Sequence, residues 1–218
     1  MNVLMRFLYI ALILCIPVTS FLIAENLVCR APDLYNYEFT KSQVLYEIDA
    51  GVSDNEMGEF FSDFMMGKEK EFTYIADEDR PVNLFNANES GTMKQVRYVL
   101  NVSAVILSAA VFIGTAAAAV FFYRLQKEKV RMSYKWSWAV YTGMIIGFFA
   151  SIYIPAVNKT VFQWISADGF GAESLLLQLI TPVFIRDWFI ANFIISLIAM
   201  IVLGSVILRI TRPKRMFW

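Results

Sequence analysis

The residues of this chain with the strongest potential for chemistry lie in LFNANESGTMKQVRYVL, residues 84–100, where a polar segment becomes an apolar one. Glu89, Thr92 and Gln95 recur at spacings of three, so a helix that begins here would place their side chains on roughly one face. Arg97 follows two residues later. Such a polar face at the mouth of a membrane bundle could hold a lipid headgroup. An ordinary solvated helix start explains the same spacing.

The elements that must position this face are membrane helices. Hydrophobic residues make up 58% of the 218-residue chain, and four long runs of the sequence contain no charged residue. A bilayer core of about 30 Å requires about 20 apolar helical residues. The composition therefore predicts an all-α membrane protein, a single integral membrane domain over residues 1–218 with a mostly helical external cap region. The four transmembrane helices are predicted at residues 7–24, 99–123, 136–156 and 188–208.

The distribution of charge predicts the orientation of these helices. Most acidic residues lie in the segment 25–97, whereas lysine and arginine crowd the short loop after the second run and the end of the chain. Basic residues near membrane ends are retained on the cytoplasmic side. We therefore expect a multi-pass protein of the plasma membrane with both termini in the cytoplasm and with residues 25–97 and 157–187 outside.

Local patterns predict several features of these segments. Ser53 and Glu56 form a capping box before a helix over residues 54–66, whose Met and Phe stripe packs on the rest of the segment or lies among lipid headgroups. Residues 40–48 are a short helix or strand, and residues 72–75 are extended. Pro17 should kink or interrupt the first helix. Cys15 and Cys29 would lie about 20 Å apart along a helix, too far to form a disulfide.

The second external segment is unusually apolar for a loop. VFQWI and SLLLQLITPVFI flank SADGFGAES, whose two glycines mark a turn, and we expect a re-entrant or interfacial pair of short elements. Its polar residues are Gln163, Trp164, Asp168, Glu173 and Arg186.

The chain contains no histidine. Mechanisms that need an imidazole base or a histidine-liganded metal are therefore excluded for the chain acting alone. We expect neither a metal nor an organic cofactor, and no basic face suited to nucleic acid is present.

Two stretches together resemble a family. NESGTMKQVRYV is similar to the segment that reads E-x-x-H-M-x-D-V in lipoprotein intramolecular transacylases, the Lit-type bacterial membrane proteins. VFQWISADGFGAESLLLQLITPVFIRDWF is similar to the same family's run of F-H, an aromatic-rich turn, L-I, a proline and a closing aromatic. The order of the predicted helices and external segments also agrees over nearly the whole chain.

The resemblance implies transfer of an acyl chain from the lipid-modified cysteine of a lipoprotein to its amino group. Glu89, Met93 and Val96 match the family pattern. The family's histidines fall at Thr92 and Gln163 and its aspartate at Gln95, none of which titrates near neutral pH. The resemblance therefore implies a member whose chemistry is lost or has moved to carboxylates.

Two hypotheses follow. In an acyl-transfer enzyme, Glu89 would act as the base beside Thr92, Gln95 and Gln163, and Arg97, Trp164 and Arg186 would bind the substrate. Desolvation would strengthen Glu89 as a base, whereas the helix dipole and Arg97 would weaken it. In a non-catalytic alternative, the chain binds membrane lipid or a diacylated lipoprotein without cutting it. A transporter has little support, because no ionisable residue lies deep inside a predicted span. The oligomeric state is not predicted.

Overall fold

The described chain is helical. A computed structural model describes residues 3–47, 51–75, 83–154 and 174–212. Within these ranges the pairing of extended backbone is limited to an isolated antiparallel bridge between Ile75 and Asn83. The prediction of an all-α protein is therefore confirmed for these residues. The helices are α1 (Val3–Val28), α2 (Pro32–Ser42), α3 (Val44–Glu47), α4 (Asp54–Met66), α5 (Ala87–Tyr123), α6 (Lys127–Tyr153), α7 (Leu175–Leu179) and α8 (Pro182–Ile210).

Three of the described helices, α1, α5 and α8, are long and apolar enough to cross a membrane. They contain three of the four predicted spans. Helix α6 has 27 residues, which is a sufficient length. Its first turns are strongly charged, and Trp, Tyr, Ser, Thr and Gly dilute the apolar stretch that follows. The fourth span therefore stays a prediction.

The chain divides into two compact units. The first unit comprises the described residues of Met1–Glu25, Ser103–Ala150 and Asn192–Trp218. Its interior holds two small apolar clusters, while large apolar side chains such as Phe7, Phe112 and Ile198 are exposed on its helices. Helices that are apolar on all sides are typical of a lipid environment. The clusters consist of Leu12, Ala117, Phe121 and Val130, and of Ile16, Tyr134, Tyr141 and Met200.

Pro17 lies inside α1, which continues through it without a break in the helix. Proline has no backbone N–H, so the carbonyl of Ile13 one turn earlier loses its helical partner. The Ser137 hydroxyl of α6 lies 3.0 Å from this carbonyl oxygen and 2.9 Å from the carbonyl oxygen of Ser133 in its own helix, so its single proton can be donated to either one. Ser20 donates within α1 to the carbonyl of Ile16. Of the predicted kink or interruption at Pro17, the interruption is wrong, and a hydroxyl from another helix lies within hydrogen-bonding distance of the freed carbonyl.

The second unit comprises the described residues of Asn26–Val102 and Ser151–Ala191. Helices α2 and α4 pack together in this unit. A Cβ on Gly58 would overlap the side chain of Asn36 and come within 3.0 Å of its backbone N, so a larger residue would require Asn36 to move. The core is strongly aromatic, with most ring pairs at tilted or edge-to-face angles. Its rings include Tyr35, Phe39, Phe61, Phe64, Phe72, Phe85 and Phe184.

Helix α4 has the predicted bounds and the predicted cap. The Ser53 hydroxyl accepts from the Glu56 backbone N–H at 3.3 Å, and the Ser53 N–H donates to Glu56 Oε2 at 3.0 Å. Its stripe of Met57, Phe61, Phe64 and Met65 is buried in the core of the unit. The interpretation that this stripe packs on the rest of its segment is therefore confirmed.

The two ambiguous stretches of the polar segment also have definite structures. Residues 40–47 are helical except at Gln43, whose φ of 54° is the left-handed cap that ends α2. Residues 72–74 belong to no helix or strand, Ile75 forms the isolated bridge with Asn83, and the Leu84 N–H donates to the Tyr74 carbonyl. Neither Cys15 nor Cys29 is part of a disulfide, as predicted.

Candidate functional site

The first turn of α5 is built around Glu89. Asn86 precedes the helix, and its Oδ1 accepts from the Glu89 N–H at 2.9 Å. The Asn86 N–H donates in return to Glu89 Oε2 at 2.8 Å. This is a reciprocal capping box with asparagine at the cap position. The cap residue of α5 is therefore Asn86, three residues before Glu89.

The second oxygen of Glu89 binds a segment far away in the sequence. Glu89 Oε1 accepts from the Ser174 hydroxyl at 2.5 Å and from the Leu176 N–H at 2.9 Å. Ser174 is itself the cap of α7, and its hydroxyl accepts from the Leu177 N–H. The Glu89 residue is only 2% exposed. One buried carboxylate therefore joins the starts of α5 and α7.

These contacts limit what Glu89 can do chemically. An ionised carboxylate has about four acceptor positions on its two oxygens. Three of them are occupied by N–H and O–H donors of the protein. A general base must direct a free lone pair at the proton it removes. The geometry therefore favours a structural role for Glu89, and its assignment as a base stays an untested prediction.

Thr92 and Gln95 lie on the next turns of α5 and are half-buried. The Thr92 hydroxyl donates to the carbonyl of Asn88 at 3.0 Å, one turn earlier in the same helix. This local bond does not join the helix to another element. Thr92 and Gln95 share a helix with Glu89 as predicted, but Glu89 alone of the three is buried.

Arg97 organises the chain that follows α4. Its guanidinium donates to the carbonyls of Glu69 at 2.6 Å and Lys70 at 3.0 Å, with a longer contact of 3.4 Å to Phe64. The same group lies over the Phe64 ring, 4.1 Å from its centroid. Because most donors of the guanidinium contact the protein itself, its predicted role in substrate binding has no geometric support from these contacts.

Arg186 belongs to a cluster of charged residues from α2 and the start of α8. Arg186 Nε donates to Asp187 Oδ1 at 2.9 Å, and Lys41 Nζ donates to Asp187 Oδ2 at 2.8 Å. Lys41 Nζ also lies 3.5 Å from Glu38 Oε1. The side chains of Lys41 and Arg186 are 41% and 53% exposed, so solvent reaches this cluster from the cationic side.

Glu38 is the buried end of the cluster, with 3% of its surface exposed. Its Oε1 has no hydrogen-bond partner among the described residues, although Lys41 lies within ion-pair distance. Burial raises the pKa of the Glu38 carboxyl, the neighbouring Asp187 carboxylate raises it further, and the charge of Lys41 opposes both effects. Glu38 therefore holds a proton more readily than an exposed carboxyl does.

Sequence reasoning missed Glu38, Lys41 and Asp187 as site residues. A signal was present in α2, where Tyr35 and Phe39 are buried and Glu38 falls between them at helical spacing. An acid on the apolar face of a helix must be paired or neutral. No comparable local pattern points to Asp187.

Four polar residues predicted for the second external segment lie outside the described residues: Gln163, Trp164, Asp168 and Glu173. The predicted proximity of Gln163 and Thr92 and the predicted binding role of Trp164 therefore stay predictions.

Comparison with known proteins gives a result for the fold alone. No family model matches the sequence, and no curated protein matches it. Solved structures of the membrane integral lipoprotein intramolecular transacylase Lit from Bacillus cereus do match. A variant with one histidine replaced by arginine has a TM-score of 0.74 at 14% identity, over 98% of this chain and 94% of that one.

Two further structures of the same protein agree. A variant with that histidine replaced by alanine has a TM-score of 0.75 at 12% identity, covering 98% of this chain and 96% of that one. Another structure has a TM-score of 0.65 at 13% identity, covering 95% of each chain. At such low identity the likeness is one of fold. The chain is a membrane protein with the fold of the lipoprotein intramolecular transacylase Lit.

Proposed function

We propose that this protein acts on the acyl chains of lipoproteins or lipids at the outer membrane–water interface, with acyl-transfer activity that is lost or altered. The observation that carries the proposal is the Lit-like fold over nearly the full chain in a sequence without histidine. The matching structures are those of an intramolecular transacylase of lipoproteins. A diacylated lipoprotein and membrane lipid are therefore the proposed partners.

The contacts of Glu89 and Thr92 support the loss or relocation of the chemistry. Glu89 is engaged by three donors, and the Thr92 hydroxyl is engaged within its own helix. Neither residue offers an unoccupied base of the strength of imidazole. A non-catalytic lipid- or lipoprotein-binding protein is the second candidate, and the same contacts favour it over catalysis by Glu89.

The proposal includes four spans, with α6 as the third, a plasma-membrane location and both termini in the cytoplasm. The acidic segment after α1 would then lie outside and the basic loop before α6 inside. Single cysteines at Asp77 and Lys129, in a background without Cys15 and Cys29, test this orientation with an impermeant thiol reagent on intact cells. Only the cysteine at position 77 should react, and labelling at position 129 would refute the topology.

The decisive experiment is mass spectrometry of lipoprotein N-termini from cells with and without this protein. A shift of one acyl chain from glycerol to nitrogen that depends on the protein would establish an active transacylase. Unchanged N-termini, together with lipoprotein that co-purifies with the protein, would establish the binding function. Unchanged N-termini without any bound lipoprotein or lipid would refute the proposal.

Restoring the imidazoles tests why activity is altered. The double change Thr92→His with Gln163→His should raise acyl transfer to a diacylated lipoprotein by about 10²–10⁴-fold, since a positioned base contributes that much to the rate. Each single histidine variant serves as a control. An equal rate in the wild type and the double variant would show that these two positions do not decide the activity.

A further inference from the structure

Arg30 follows the end of α1 as a half-buried cation. Its Nη2 donates to Asn101 Oδ1 of α5 at 3.3 Å, and this acceptor is neutral. Its Nε is buried and has no hydrogen-bond partner among the described residues. No carboxylate of the described chain lies within ion-pair distance of the guanidinium. The part of the chain that the structure describes therefore supplies no anion to compensate the positive charge of Arg30.

The other two arginines described in the second unit have different surroundings. Arg97 donates to backbone carbonyls and lies over the Phe64 ring. Arg186 forms an ion pair with Asp187. A cation that is partly removed from water is costly unless an anion or other acceptors compensate it. Because Arg30 is only half-buried, its terminal nitrogens are accessible donors, and they are open to a ligand in a way that those of Arg97 are not.

The backbone from which the Arg30 side chain extends is held by several hydrogen bonds. The Ser62 hydroxyl of α4 donates to the Arg30 carbonyl at 2.5 Å. The Tyr35 hydroxyl of α2 donates to the Cys29 carbonyl at 2.8 Å, and the Arg30 N–H donates to the Leu27 carbonyl at 3.3 Å. Ser62 and Tyr35 are themselves buried. The position of the arginine is thus fixed before a ligand binds, which lowers the cost of ordering it.

Asn101 adds donors of its own next to the guanidinium. An arginine can only donate, so the Asn101 amide must direct its oxygen toward Arg30. The NH₂ group of the amide then carries further N–H donors, and Asn101 is exposed. The guanidinium and the amide together present several N–H donors and one positive charge. This combination suits an anion with several oxygens, and arginine binds phosphate through two parallel hydrogen bonds.

The positions of the two residues in the chain indicate the source of such a phosphate. The charge-free run of α1 ends at Ala24, and that of α5 begins at Tyr98. Both helices are long and apolar enough to cross a membrane. Arg30 therefore follows one apolar run by a few residues, and Asn101 lies in the first turn of the other. Lipid headgroups occupy the polar layer that borders the hydrocarbon core of a bilayer, which is the depth expected for both residues.

We propose that Arg30 and Asn101 bind the phosphate of a phospholipid headgroup, with the guanidinium supplying the charge and the amide a further donor. The diacylglyceryl group of a lipoprotein carries no phosphate, so this ligand is distinct from the proposed lipoprotein partner. The inference therefore goes beyond the proposed function and does not require acyl transfer.

Native mass spectrometry of the full-length protein in detergent measures this binding. Phosphatidylglycerol is the probe, and diacylglycerol with the same acyl chains is the matched lipid without phosphate. Arg30→Gln should weaken the binding of phosphatidylglycerol by about 10–100-fold, as expected for the loss of a charged hydrogen-bonding partner. Arg30→Lys should have a smaller effect, because lysine keeps the charge without the fork. Lys70→Gln removes an exposed positive charge and should match the wild type.

Binding of diacylglycerol should be the same in all of these proteins. Equal binding of phosphatidylglycerol by the wild type and Arg30→Gln would overturn the inference. So would a loss of the same size in Lys70→Gln, because the effect would then depend on total charge and not on this site.

Asn101→Asp tests the site without removing the arginine. The substitution keeps the size of the side chain and places a carboxylate beside Arg30, so the guanidinium gains an internal partner and a phosphate meets a negative charge. Binding of phosphatidylglycerol should fall at least as far as in Arg30→Gln, while the thermal unfolding midpoint should not fall. Undiminished binding in Asn101→Asp would overturn the inference, even if Arg30→Gln failed to fold.

Phosphorus NMR in detergent distinguishes a lipid from a free ion. The signal of phosphatidylglycerol should broaden with the wild type but not with Arg30→Gln, and the signal of inorganic phosphate should be unchanged by either protein. Binding of inorganic phosphate that depends on Arg30, without a preference for phosphatidylglycerol over diacylglycerol, would overturn the assignment to a lipid. The N-termini of lipoproteins report on the proposed function separately, so either conclusion can fail while the other stands.

Discussion

Glu38 and Glu89 are two buried glutamates of the same compact unit with opposite surroundings. Glu89 accepts from two backbone N–H groups and a hydroxyl, and it joins the starts of two helices. Glu38 has an oxygen without a hydrogen-bond partner among the described residues and lies beside a second acid. The comparison teaches that burial alone does not mark a carboxylate for chemistry. The state of its acceptor positions decides whether it is structural or available for proton transfer.

The largest expected effect comes from Glu89→Ala. The substitution leaves three donors without an acceptor in a buried place, and each orphaned group costs about 1–3 kcal/mol. We expect a loss in the free energy of unfolding of about 3 kcal/mol or more, measured by thermal unfolding in detergent. Glu56→Ala is the matched control, because Glu56 closes a similar capping box in an exposed position. Equal effects of the two substitutions would contradict the structural role of Glu89.

An intermediate effect is expected from Arg97→Lys. The ammonium of lysine cannot reproduce the forked contacts with the carbonyls of Glu69 and Lys70 or the stacking on Phe64. We expect the free energy of unfolding to fall by about 1–2 kcal/mol and the chain to be cleaved faster by protease between residues 67 and 75. Lys94→Gln, at an exposed position of the same helix, is the control. A variant as resistant to proteolysis as the wild type would show that Arg97 does not hold this segment.

The smallest effect concerns pH. The pKa of Glu38 is raised by burial, so its neutral form is favoured in the folded state and its contribution to stability is lost as pH rises through that pKa. The pKa of Glu56 is lowered by the Ser53 backbone N–H, so its contribution is lost as pH falls. Glu38→Gln should therefore stabilise the protein slightly at neutral pH, by about 1 kcal/mol or less. The unfolding midpoint of this variant should also depend less on pH than that of the wild type, between mildly acidic and neutral conditions.

The unfolding midpoint should be measured against pH for Glu38→Gln and Glu56→Gln. The two substitutions should change the slope of midpoint against pH in opposite senses, which separates the two glutamates. A loss of stability in Glu38→Gln at neutral pH would show that Glu38 is ionised and well paired in the folded protein.

Features that depend on neighbours in the sequence were predictable. The capping box of Ser53 and Glu56 and the bounds of α4 follow from a four-residue pattern and a helical stripe. The corresponding cap formed by Asn86 and Glu89 was not predicted. Three of the four predicted spans fall in helices of sufficient length and hydropathy.

Features that depend on tertiary contacts were not predictable from local pattern. Ser174 lies 85 positions from Glu89, and no property of either segment indicates that the two side chains are in contact. Asp187 likewise meets Lys41 across 146 positions. Local reasoning assigned Glu89 and Arg97 to chemistry because they are charged and near an apolar helix. Their partners, which the local sequence does not reveal, give them structural contacts.

The hydrogen bond between Ser137 and the Ile13 carbonyl has a consequence for the order in which the chain is made. Helix α1 leaves the ribosome and enters the bilayer more than 100 residues before Ser137 is synthesised. Until then the carbonyl freed by Pro17 has no donor in a medium without water, where an unsatisfied group costs several kcal/mol. The contact between α1 and α6 can therefore form only after α6 has been synthesised.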